Sequence, residues 1–162
     1  MNDLLLDELH DKARYYREHA QWLHAAQAYY RILAAHPDRL ETYFDLATMY
    51  TNMGHARASE QVLIQALKKH EDNTDILFAL GVTTFKNKEY DRAMTYFDRL
   101  LPKGYPKVHY YVGSILTHRN DLQGATRHFE LAIESDAHYQ LAYHALCDVY
   151  LRKGANGSLV DS

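Results

Sequence analysis

Residues 40–73, LETYFDLATMYTNMGHARASEQVLIQALKKHEDN, decide how this chain folds. Leu46, Ala47 and Tyr50 fall at helical spacing before Gly54, and Ser59, Leu63 and Ala66 do the same after it. The stretch reads as two amphipathic helices joined by a tight turn, with Gly54 supplying the left-handed conformation. Ala47 and Ser59 are small where the helices cross, so the backbones can approach closely. Tyr50 and Leu63 fill the space on either side. A hairpin of this kind cannot bury its outer face alone and needs a copy of itself stacked on each side.

Those copies are present. The small residue Ala47 is preceded 34 positions earlier by Ala13 and followed by Gly81, Gly113 and Cys147 at steps of 34, 32 and 34. A second small column runs Ala25, Ser59, Ala93, Ala125, and a large one runs Tyr29, Leu63, Phe97, Phe129. The aromatic position of the first helix runs Tyr16, Tyr50, then Thr84 and Leu116, then Tyr150. On these residues, with Ala25-x3-Tyr29, Ala93-x3-Phe97, Ala125-x3-Phe129 and the late Pro37, the chain resembles the tetratricopeptide repeat (TPR) family over about residues 6–154. Two departures stand out. Lys12 sits where the family prefers Leu, and the third copy is two residues short. The loss falls in Leu101-Pro102-Lys103-Gly104-Tyr105-Pro106, where two prolines and a glycine exclude continuous helix and predict a tight, irregular joint.

The expected fold is all-α, a right-handed superhelical solenoid of four helix-turn-helix repeats plus a capping helix. The repeats fall at about 6–39, 40–73, 74–105 and 106–139, and a half repeat at 140–154. Helix nine is expected to stop at Gly154, leaving 155–162 as a disordered tail. As a lone final helix it either caps the stack or offers Leu141, Ala145 and Leu151 to another chain, and Leu4–Leu6 pose the same choice at the other end.

Composition bounds the function. Eighteen basic against 21 acidic residues leave a net charge of −3, which argues against nucleic acid or an anionic membrane as partner. One cysteine excludes an internal disulfide framework. The acidic N-terminus with its short apolar run does not read as a signal peptide, and a cytoplasmic location is expected. No phosphate-binding glycine loop, nucleophile elbow, His pair at i,i+4 or Cys-x-x-Cys is present, so neither an enzyme, a metal site nor a cofactor is expected. Cys147 shares the small crossing column, and packing explains it.

The resemblance implies a concave groove lined by the first helix of each repeat. Carried onto this chain, the family's groove positions include His10, Arg14, Phe44, Thr48, Asn52, Phe78, Val82, Phe85, Lys86, Tyr110, Ser114 and His144. Phe44, Phe78 and Tyr110 hold one position in three successive helices. They form either an apolar strip for an extended segment or amphipathic helix of a partner protein, or packing between neighbouring first helices. The family's carboxylate clamp for chaperone tails is not reproduced: Asp45 and Asp75 stand where a terminal carboxylate would be repelled. The expected role is a non-catalytic adaptor that binds protein. The alternative is a scaffold that self-assembles through its terminal helices.

Overall fold

A computed structural model describes residues 2–136 and 139–160, the last three of these by backbone only. All regular structure among them is helical: α1 (Asp3–Glu18), α2 (Trp22–Ala35), α3 (Leu40–Asn52), α4 (Ala56–Lys69), α5 (Thr74–Lys86), α6 (Tyr90–Leu100), α7 (Val108–His118), α8 (Leu122–Ser135) and α9 (Gln140–Val160). They divide into two compact units, Met1–Asn87 and Lys88–Ser162. In the first, α1 packs on α2, α2 on α3, α3 on α4 and α4 on α5; in the second, α6 packs on α7, α7 on α8 and α8 on α9.

The turns are built from a backbone pattern more than from glycine. Ala20, Gly54, Lys88 and Asn120 all lie in the left-handed region, at φ 56°, 77°, 61° and 62°, and their spacing is that of the repeat. After three of them the next amide reaches five residues back: Gln21 to the Tyr16 carbonyl, His55 to Tyr50 and Asp121 to Leu116, at 2.8, 2.8 and 2.9 Å. This double-bonded helix ending satisfies carbonyls that would otherwise be orphaned. Gly54 was legible as such a turn, but Ala20 and Lys88 were not, because their residue types disfavour the conformation they adopt. Helix starts are capped by Asn2, Asn73 and Asp121, whose side chains accept from the amides of Leu5, Ile76 and Gly124.

The repeat columns are the core. Ala13, Ala47, Gly113, Ala25, Ser59, Ala93 and Ala125 are buried, as are Tyr29, Leu63, Phe97 and Phe129. At the α7–α8 crossing the fit is tight enough to require glycine. A Cβ built on Gly113 would lie 2.7 Å from Cε1 of Phe129. At the α3–α4 crossing the Ser59 hydroxyl meets the Thr51 hydroxyl at 2.9 Å, and Thr51 also donates to the Ala47 carbonyl.

The proline-rich joint is a short 3₁₀ turn, Leu101–Lys103, closed by Gly104 at φ 67°. The end of α9 corrects the sequence reading. The helix does not stop at Gly154 but continues to Val160. Gly154 is not among the residues with positive φ, so it serves as a helical residue and not as a cap. The expected disorder of 155–162 is therefore replaced by helix as far as 160, and residues 161 and 162 lie outside those described, as do Ala137 and His138.

These two glycines give opposite expectations. Gly113→Ala forces Phe129 to shift and lowers stability by about 1–3 kcal/mol in urea unfolding. Gly154→Ala raises it by roughly 0.5–1 kcal/mol, since alanine is the better helix former where no left-handed turn is needed.

Candidate functional site

In the first unit, the first helices α1 and α3 are tied together on one face by charge. Asp45 on α3 accepts from Arg14 Nε (3.0 Å) and Arg17 Nη1 (3.1 Å), both on α1. Arg14 also reaches Glu41 through Nη2. Arg39 donates to Asp7 at 2.9 Å and lies 3.6 Å from Glu41. Beneath this lattice sits His10, only 2% exposed, with Nε2 3.3 Å from Asp45 Oδ2 and its ring edge-on to Tyr29 at 5.9 Å. His10, Glu41 and Asp45 bring three metal-ligating atoms within 4.8 Å of one another. Two guanidinium groups already occupy the Asp45 carboxylate and one of these also holds Glu41, so the group is an ion-pair network that a cation would have to break.

This changes the standing of two expected groove residues. His10 lies under the surface, not on it, held between Asp45 and the Tyr29 ring. Arg14 is spent on Asp45 and Glu41. The sequence marks both residues only as groove positions, since the partners of Arg14 lie 27 and 31 residues away on another helix and Asp45 lies further still from His10.

The other groove positions of the first unit are more open. Phe44, Phe78, Val82 and Phe85 are half-buried, and Thr48, Asn52 and Lys86 are exposed. In the second unit Tyr110 is half-buried in an aromatic group, with ring centroids 5.2 Å from Tyr111, 5.3 Å from Tyr139 and 6.1 Å from Phe129. Ser114 turns its hydroxyl back onto the Tyr110 carbonyl at 2.9 Å, and His144 is exposed. Tyr111 stacks on Phe97 at 5.5 Å.

One surface was not anticipated. The outer side of α2, with Leu23, Ala26 and Tyr30, borders an open depression of about 850 Å³ that Leu9, Lys12, Tyr16 and Tyr50 complete. Tyr30 and Tyr50 meet there hydroxyl to hydroxyl at 3.1 Å, and burial pushes the Tyr30 hydroxyl up to about 12. Lys12, where the family prefers Leu, lines this open face and so needs no apolar partner.

Buried polar groups set two expectations. The Tyr29 hydroxyl is buried without a hydrogen-bond partner, and burial, then the nearby Asp45 charge, pushes it up to about 12. Tyr29→Phe removes that unsatisfied group and is expected to leave stability unchanged or raise it by up to about 1 kcal/mol. His109 and His128 face each other Nδ1 to Nδ1 at 3.1 Å, a contact that needs one ring to accept and so to be neutral. Burial holds His10, His109 and His128 below the ordinary imidazole value of 6.5; Arg14 and Arg39 add to this at His10 against Glu41 and Asp45, and His109 adds to it at His128. The unfolded chain therefore takes up protons first, and stability falls as pH drops below about 6.5. Urea midpoints between pH 7 and 5 are expected to fall less for His109→Gln with His128→Gln than for the wild type.

Comparison with known proteins agrees with this architecture. A family model described as tetratricopeptide repeat matches residues 44–108. No curated protein sequence matches the chain. Among solved structures, one titled as the crystal structure of MamA protein is 20% identical, with TM-score 0.78, and the match covers 96% of this chain and 86% of that one. Pseudomonas aeruginosa pilF is 15% identical with TM-score 0.77, over 94% and 71% of the two chains. YrrB, titled a TPR protein with an unusual peptide-binding site, is 18% identical with TM-score 0.69, over 90% and 76%. At these identities the likeness is one of fold. No helix among the described residues is long and apolar enough to cross a membrane. Residues 44–108 belong to the tetratricopeptide repeat family, and the chain that carries them has an all-α helical-repeat fold of the solenoid class.

Proposed function

We propose that the protein is a non-catalytic adaptor that binds a segment of a partner protein on the first-helix face of its N-terminal unit. The fold supports protein–protein interaction in general. What supports the finer reading is that Phe44, Phe78, Val82 and Phe85, at positions the family uses for its groove, are each half-buried, and Thr48, Asn52 and Lys86, at positions of the same kind, are exposed. Half-buried rings have surface left to cover. Burying a whole Phe is worth about 1.5–3 kcal/mol, and each ring keeps at most about a third of its surface open, so the three supply at most about 3 kcal/mol, against association costs of about 4–15 kcal/mol. Affinity from the rings alone is weak. The polar neighbours and backbone of an extended segment supply the rest. The Asp45 network next to them is fixed by its own ion pairs and acts as a rigid wall, which lowers the ordering cost of binding.

A second reading, self-assembly through the ends, rests on Leu4 and Leu5, both exposed on α1. Light scattering over a concentration series separates the two, since a strict monomer removes it.

The test is selection of peptides from a random displayed library on the wild-type protein, followed by titration against Phe44→Ala with Phe78→Ala. Circular dichroism checks that the variant keeps its helices. Loss of at least tenfold in affinity is expected. Peptides that bind wild type and variant equally contradict the reading.

A further inference from the structure

A second binding site, independent of the groove reading, lies on α9. In each hairpin of known packing, the first helix presents a row that the second helix covers. On α1 the row is Leu9, Ala13 and Tyr16; on α3, Tyr43, Ala47 and Tyr50. Ala13, Tyr43 and Ala47 are buried in consequence, and Leu9, Tyr16 and Tyr50 are half-buried. The same register on α9 gives Tyr143, Cys147 and Tyr150, which repeats the tyrosine, small residue, tyrosine order of α3. Here the row is open. Tyr143 is 45% exposed, Tyr150 51% and the adjoining Leu151 72%, and Cys147 is exposed too. The inner side of the helix is already used, with Ala142 and Val149 buried and Ala145 and Leu146 packed on Phe129 and its neighbours. Nor does α9 supply its own cover. Where α3 ends, at Asn52, the corresponding residue is Arg152, and α9 runs straight on to Val160.

We infer that this row takes an amphipathic helix from another polypeptide, with Ala at the crossing point and Tyr or Leu four residues later. Three observations on the molecule select that occupant. Cys147 is small but has a side chain, so the crossing resembles those at Ala13 and Ala47, where Tyr29 and Leu63 are the large partners. It does not resemble the one at Gly113, where a Cβ meets Phe129 at 2.7 Å. Leu151 stands where Thr51 bonds the Ser59 hydroxyl, so the small residue of the occupant is Ala in preference to Ser. Finally, Tyr143, Tyr150 and Leu151 leave on the order of 300 Å² of apolar surface open, taking about 150–250 Å² for a whole aromatic ring. A stable interface between two copies buries about 800 Å² on each, roughly 500 Å² of it apolar. The row suits one helix bound weakly, not a stable pairing of two copies through α9.

The probe is a fluorescein-labelled peptide with the α2 sequence, residues 22–35, titrated by anisotropy into the full chain. Binding is expected, with at least tenfold loss for Tyr150→Glu, a surface change that spares the fold, and for a peptide with Ala25→Leu. Phe44→Ala with Phe78→Ala leaves it unchanged, so failure here is distinct from failure of the groove. Saturating peptide is also expected to slow alkylation of Cys147 by iodoacetamide at least fivefold. Absence of binding at millimolar peptide, binding that survives Tyr150→Glu, unprotected Cys147, or a wild-type dimer that Tyr150→Glu dissolves each overturns the inference.

Discussion

Close approach of two helix backbones at a small residue is the constraint on which the rest of this structure depends. At Ala13, Ala47 and Gly113 the first helix of a hairpin offers almost no side chain; at Gly113 the second helix presses Phe129 into the space, and Tyr29 and Leu63 are buried at the matching positions of the first two hairpins. Packing at that density tolerates little change of volume. It fixes how the two helices of a hairpin sit. It thereby decides which side of each first helix is covered and which is left to the outside. The left-handed turns at Ala20, Gly54 and Asn120 follow from the same demand, since they return the chain at the angle the crossing needs.

This constraint is local and periodic, and for that reason it was legible. A spacing of 34 or 32 residues is enough to find the columns; the two small columns and the Tyr29, Leu63, Phe97, Phe129 column are buried except at Cys147 on α9, whose crossing has no cover, while Tyr16, Tyr50 and Leu116 are only half-buried. What stayed hidden is of another kind. The Asp45 network joins α1 to α3 across turns, so nothing in either helix alone shows that Arg14 and Arg17 converge on one carboxylate or that His10 lies beneath it. The strained turns at Ala20 and Lys88 carry no glycine to announce them. Gly154 misled in the opposite sense, because a glycine near a helix end signals a stop only where the chain must turn. The half-buried state of Phe44 and Phe78 was also beyond the sequence, which fixes register but not how far a neighbouring helix covers a ring.

The two faces of the first helices therefore divide the labour of the molecule. One carries the crossing residues and is consumed by folding, except on α9, where it remains open. The other carries His10, which is buried against Tyr29, beside residues that stay half-buried or exposed, and between α1 and α3 it is tied by ion pairs. In that arrangement the partly covered apolar residues of α3 and α5 stand on a surface whose geometry is set in advance.

The central claim is that folding leaves the first-helix face of the N-terminal unit for a guest. Chemical-shift mapping of the ¹⁵N-labelled protein with a peptide selected on it tests this most directly. The account expects the largest amide shifts at Phe44, Thr48, Asn52, Phe78 and Val82. Shifts concentrated instead on the outer side of α2 and α4, at Leu23, Tyr30 and Gln61, would contradict it.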